Sequence, residues 1–137
     1  MRLKLKLVRS GSGSVEVIAL VNNGYETSKP EILVSIATAR SLSLYPQPPQ
    51  GAFIKKYKLA DRSITRLIKI PRAILIYTVE EDRTVGQVET SLVTAEKAEE
   101  PLISDKLAGK LGIAVLDFAE GLWCLKMRWG KTVRKSK

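Results

Sequence analysis

A chain of 137 residues with a formal charge of +9 and 45% hydrophobic residues has the size of one domain and enough apolar content to bury a core, which excludes a disordered chain. Its longest uninterrupted apolar runs are five residues, far short of the roughly 20 needed to cross a bilayer, and the charged, alternating start Met1–Arg9 is not read as a signal peptide; a cytoplasmic protein without membrane contact is expected. A single cysteine, Cys124, excludes an internal disulfide, and the absence of histidine removes the usual general base and the commonest transition-metal ligand, so zinc sites of the ordinary kind and Ser-His-Asp chemistry are excluded and no metal or cofactor is expected.

In chain order, Leu3, Leu5 and Leu7 alternate with Lys4, Lys6 and Val8, the period of a strand with one buried face. Ser10-Gly11-Ser12-Gly13-Ser14 turns the chain into a second arm, Val15 to Val21, which runs into Asn22-Asn23-Gly24. A loop through Pro30 leads to a strand over Glu31–Ile36, and the spacing of Ile36, Ala39 and Leu42 predicts a short helix over Ile36–Leu44, stopped by the segment Pro46–Gly51.

Ala52–Leu59 and Ile64–Ile70 read as a hairpin around Ala60-Asp61-Arg62-Ser63, and Ala73–Val79 with Thr84–Thr94 as a further hairpin around Glu80-Glu81-Asp82-Arg83. After the charged loop Ala95–Glu100, Pro101-Leu102-Ile103 is short and apolar. Ser104 is suited to cap a helix over Asp105–Leu111 that Gly112 ends, and Asp105 suits the positive end of its dipole. A last hairpin joins Ile113–Phe118 to Leu122–Met127, with Cys124 expected in the core beside Trp123 and Leu125. The fold class is therefore all-β with one or two short helices, in a single domain over residues 1–137.

Charge is unevenly distributed. Arg2, Lys4, Lys6 and Arg9 at the start, and Lys126, Arg128, Lys131, Arg134, Lys135 and Lys137 at the end, are cationic, with 128–137 read as a basic tail, whereas eight of the fourteen acids lie between Glu80 and Asp105. Basic ends can attract a polyanion, so association with nucleic acid stands as one functional alternative. Few Asn, Gln, Met and Cys beside many Lys, Arg and Glu resemble the bias of proteins from hot environments. Against that background the two asparagines of the chain are adjacent, Asn22 and Asn23.

A strand entering Ala19-Leu20-Val21-Asn22-Asn23-Gly24, a central hairpin, and Pro101-Leu102-Ile103-Ser104-Asp105-Lys106-Leu107 running into Leu111-Gly112-Ile113 occur in an order that resembles the retropepsin-like aspartic proteases, in their small archaeal and bacterial single-domain form. The resemblance runs from about Val15 to Met127. It implies a half-barrel that forms a homodimer, each copy delivering one catalytic aspartate in an Asp-Thr/Ser-Gly turn beneath a hairpin flap. Carried onto this sequence, Asn22 takes the place of the aspartate, Asn23 of the threonine or serine, and Gly24 of the glycine.

An amide has nearly a carboxylate's shape but does not accept a proton at ordinary pH, so no conventional aspartic protease activity is expected and no intact catalytic residue remains. Asp61, Asp82, Asp105 and Asp117, weighed as substitute acids, are not positioned like a dyad. The resemblance places the flap within Phe53–Ile68, with Lys55, Lys56, Lys58, Arg62 and Arg66 over its mouth, which suggests an acidic peptide or acidic partner held largely by main-chain hydrogen bonds. The expected function is a catalytically impaired, peptide- or protein-binding homodimer. The alternatives are a peptidase kept active by a replacement carboxylate and the nucleic-acid association above.

Overall fold

The computed structural model describes residues 1–21, 24–58, 64–81, 83–126 and 133–137, with the backbone alone at 57 and 58. The expectations placed on Asn22, Asn23, Asp61, Arg62 and Asp82, on the Lys58 side chain and on residues 128–132 lie outside the described residues.

The described chain is mostly strand: β1 (Arg2–Arg9), β2 (Gly13–Val21), β3 (Glu31–Ser35), β4 (Phe53–Lys58), β5 (Ile64–Val79), β6 (Thr84–Ala95), β7 (Leu102–Ile103), β8 (Ile113–Asp117), β9 (Leu122–Leu125) and β10 (Arg134–Lys135), with two short helices, α1 (Ile36–Ser41) and α2 (Asp105–Lys110). Seven strands form one sheet in the order β1-β2-β7-β3-β6-β5-β4, and β1 pairs with β5 as well. The sheet thus closes on itself, and among the described residues β4 pairs with β5 alone. A second sheet, β10-β9-β8, adds Ile113, Trp123 and Leu125 to the same core.

The alternation read at the start of the chain sets the core. Leu3, Leu5 and Leu7 are fully buried, against Ala19 of β2, Ile32 and Val34 of β3, Ile76 of β5, Leu92 of β6 and Ile103 of β7. Full burial of one such leucine contributes roughly 1.5–3 kcal/mol. The intervening lysines point outward, and Lys4 reaches Glu16 on β2 at 3.2 Å. Cys124 is fully buried beside Trp123 and Leu125.

β5 departs from the sequence reading, which split it at Pro71 between two hairpins. It is one strand of 16 residues. Its first half pairs with β4 from Ile64 to Lys69, and its second half pairs with β1 from Leu75 to Thr78. Between them the register to β6 shifts between Ile70 and Ile74, with Arg72 in the left-handed region at φ 51°. Proline lacks the donor that a regular ladder needs, and a bulge is where a strand tolerates it. Pro71 therefore bends the strand and redirects its edge from β4 to β1, without ending it.

The helices end where local chemistry ends them. Ser35 accepts a hydrogen bond from the Thr38 N–H at 3.2 Å, and α1 stops at Ser41, earlier than the expected Leu44, with Leu42 as its C-cap and Ser43 at φ 58°. Arg9 donates to the Leu42 and Ser43 carbonyls at 3.0 and 2.9 Å, so the end of β1 supplies the cation that a helix C-terminus favours. Among the described residues no helix is long and apolar enough to cross a membrane.

Residues 133–137, assigned by sequence to the basic tail, add a strand. Arg134 and Lys135 pair with Trp123 and Leu122 of β9, and the Ser136 hydroxyl accepts from the Arg2 N–H at 2.6 Å. Arg134 reaches the buried Glu80 carboxylate at 3.1 Å, where Arg83 also binds it at 2.7 Å. The two ends of the chain therefore meet.

Removing the side chain at the centre of this core tests the account. Leu5→Ala leaves a cavity against β2 and β5 and is expected to cost about 2–5 kcal/mol in urea unfolding, while Ile18→Ala, at a half-exposed position of β2, stays within about 0.5 kcal/mol.

Candidate functional site

The feature that organises one side of the barrel is β7. Only Leu102 and Ile103 belong to it, yet it lies between β2 and β3, parallel to the former and antiparallel to the latter. Consecutive strands β2 and β3 are consequently held one strand apart, and the connection between them must loop over the end of β7. Gly24 and residues 25–30 form the described part of that loop.

The residue after β7 fixes the loop from below. Ser104, fully buried, caps α2 by accepting from the Leu107 N–H at 3.2 Å and also accepts from the Glu31 N–H at 3.1 Å. Its own N–H donates to the Glu31 carbonyl at 3.0 Å, and the Asp105 N–H donates to the Tyr25 carbonyl at 2.9 Å. Asp105 Oδ1 then accepts from the Thr27 N–H at 3.1 Å. The N-terminal turn of α2 and the 24–30 loop are thus stitched together backbone to side chain, and Asp105 is committed as a loop brace.

Between this loop and the β4–β5 hairpin lies a cleft of about 500 Å³. Gly24, Tyr25 and Thr27 line one side and Lys55, Leu67 and Lys69 the other, with Leu33, Val93 and Leu102 providing apolar surface. Glu31 stands in the wall. Its carboxylate, with only 8% of the side chain exposed, accepts from the Tyr25 hydroxyl and pairs with Lys69 Nζ at 2.8 Å. A carboxylate removed from water is retained as an ion when a cation and a hydrogen-bond donor replace its hydration, and both are present.

The sequence reading missed Glu31 because it weighed aspartates as substitute acids and passed over the glutamate opening an apolar strand. Occupied by Lys69 and Tyr25, Glu31 braces the wall. Asp117, the remaining described aspartate, accepts from the Glu120 N–H at 3.1 Å in the β8–β9 turn, away from the cleft. Among the described residues no group of three His, Cys, Asp or Glu side chains is placed to hold a metal ion.

The hairpin does not bring its basic residues to one mouth. In the β4–β5 register Phe53 faces Lys69 and Lys55 faces Leu67, while Ile54 faces Ile68 and Lys56 faces Arg66. Directly opposed residues share a face and neighbours along a strand alternate. Lys55 is accordingly on the cleft side, together with Lys69, and Lys56 and Arg66 are on the outer side. The described charges on the cleft are Lys55 and Lys69 against Glu26 and Glu31, which balance. Of the described cations expected over the mouth, Lys55 lines the cleft, and Lys56 and Arg66 are on the other face.

The basic ends are also partly matched internally. Arg2 pairs with Glu100 at 2.6 Å, Arg134 with Glu80 at 3.1 Å, and Lys137 lies 4.0 Å from Glu81. The acidic stretch between Glu80 and Asp105 is thus partly a counter-surface for the two termini.

Replacing Glu31 by alanine leaves Lys69 without its carboxylate in the cleft wall, and about 2–4 kcal/mol of stability is expected to be lost. In Glu31→Ala/Lys69→Met much of that loss returns, because no unpaired ion is left behind. Urea unfolding of the two single variants and the double variant measures the coupling.

Compared with models of known protein families and with curated proteins, the chain matches none.

Proposed function

We propose that this chain is a retropepsin-like protein that has lost its catalytic acid and binds an extended peptide, each copy contributing half of a groove in a homodimer. The observation that carries the reading is the threading of Leu102-Ile103 between β2 and β3, which braces the Gly24 loop and opens the cleft beneath the β4–β5 hairpin. In the resemblance drawn from sequence, a strand, a motif turn, a flap and an apolar pair opening a helix meet at one place. Here β2 ends at Val21 immediately before the motif, Leu102-Ile103 precedes the Ser104-capped α2, and the hairpin carries Lys55 and Leu67 onto the same cleft.

The cleft's chemistry supports binding in place of hydrolysis. Leu33, Leu67, Val93 and Leu102 suit an apolar side chain of a peptide, whose main chain would run between loop and hairpin. Asn22 has no proton-accepting carboxylate, and Glu31 is already engaged by Lys69 and Tyr25. The balanced lining gives this cleft no preference for an acidic ligand.

Light scattering at low and high salt is expected to give a salt-resistant mass of about twice the 15.2 kDa chain. A strict monomer at both salts overturns the shared groove. In the dimer, Asn22→Asp restores a carboxylate to each copy and is expected to gain acid-dependent peptide cleavage that the unaltered chain lacks. Absence of cleavage by a folded, dimeric Asn22→Asp variant counts against the placement of the motif.

A further inference from the structure

The outer face of the β4–β5 hairpin has features that the cleft does not use. Lys56 and Arg66 are direct cross-strand partners, which puts their Cβ atoms roughly 5 Å apart, and like charges in that position repel. Among the described residues neither is paired with an acid. On the same face Ile54 and Ile64 are 63% and 66% exposed. They border a groove of about 440 Å³ between the hairpin and the end of β6, which Lys97 also lines. Tyr45 forms part of its wall, with the Arg40 guanidinium 5.4 Å above the ring. β4 pairs with β5 along one edge, and among the described residues no strand pairs with its other edge.

We propose that this outer face is a second binding surface, and that its occupant is an extended acidic segment of another protein, in which carboxylates alternate with apolar side chains. A strand laid along that edge of β4 would extend the sheet by main-chain pairing. With the strand period of two, one set of its side chains lies over the face that displays Ile54, Lys56, Arg66 and Ile64. A carboxylate arriving over Lys56, with the Arg66 guanidinium reaching to it from the next strand, would turn a repulsive pair into a chelating one, and the apolar side chains would cover the exposed isoleucines. The complementarity is in charge as well as shape: among the described residues, Lys56, Arg66 and Lys97 outweigh the one acid lining this groove, Glu96. This surface depends on the hairpin register and is independent of the cleft reading.

The test is fluorescence anisotropy with a labelled short peptide alternating glutamate and valine, against the same peptide with lysine for each glutamate. The acidic peptide is expected to bind, with affinity falling as salt rises, and Lys56→Glu/Arg66→Glu is expected to weaken it about tenfold or more while gaining affinity for the lysine peptide. Ile54→Ser, at an exposed position that does not bear on folding, is expected to weaken the acidic peptide severalfold. An excess of a neutral apolar peptide does not displace it, which separates this surface from the cleft. Equal binding of both peptides, no binding of either, or unchanged binding by the charge-reversed variant overturns the proposal. So does a fall in solution mass in Lys56→Glu/Arg66→Glu, which would make a second copy of the chain the occupant.

Discussion

Much of this molecule depends on a two-residue strand. Leu102 and Ile103 have room for few hydrogen bonds, yet those bonds go to both sides, to β2 and to β3, in a position that consecutive strands would ordinarily fill themselves. The consequence is topological. A chain leaving β2 cannot turn back tightly into β3, because another strand already occupies the adjacent place, so it must arch across the barrel's end. An arch of this kind carries backbone groups that no sheet satisfies, and buried backbone groups are rarely left unpaired. Ser104 and Asp105 answer that demand: one hydroxyl, one carboxylate and two backbone N–H groups hold Tyr25, Thr27 and Glu31. The first turn of a six-residue helix is therefore both the end of β7 and the foundation of the cleft.

The balance of charge follows from the same closure. A barrel whose first strand also pairs with β5 brings the chain's beginning close to the middle of the sequence, and β10 brings its end to the same region. The acidic stretch is where both basic ends arrive. Exposed pairs such as Arg2–Glu100 contribute little each, but Glu80 is almost wholly buried and holds both Arg83 and Arg134, so its neutralisation is a condition of burying that end of the barrel. A surplus of +9 that looks like a polyanion footprint in composition is thus partly an internal arrangement.

What the sequence made legible was whatever local chemistry decides. The leucine alternation of β1, the Ser104 cap with Asp105 behind it, the Gly112 stop and the burial of Cys124 were all readable because each depends on residues a few positions apart. The continuity of β5 was not, since Pro71 is a local break signal and the pairings on both sides of it, to β4, β1 and β6, are long-range. The position of β7 was equally hidden, because nothing within Leu102-Ile103 specifies a parallel neighbour. Glu31 was overlooked for a different reason: an acid at the start of an apolar strand ordinarily lies in solvent, and its burial depends on Lys69 and Tyr25, which meet it only after folding. The hairpin's division of charge could have been read. Lys55 and Lys56 are adjacent in a strand, and adjacent strand residues cannot point to one mouth.

That division gives the hairpin two unlike faces. Lysine on an edge strand has a familiar protective role, since a desolvated ammonium blocks the edge-to-edge pairing that leads to aggregation. Protection alone accounts for Lys55 and Lys56 on β4. It does not account for Arg66, which belongs to β5, an interior strand here with β4 and β6 on either side, nor for isoleucines at positions 54 and 64 that are left two-thirds in water. A strand built only to repel would place polar side chains beside its lysines, because each exposed isoleucine makes association with an apolar surface more favourable. Cations that deter a neutral edge and apolar groups that reward contact are reconciled by one kind of partner: a strand bearing the opposite charge.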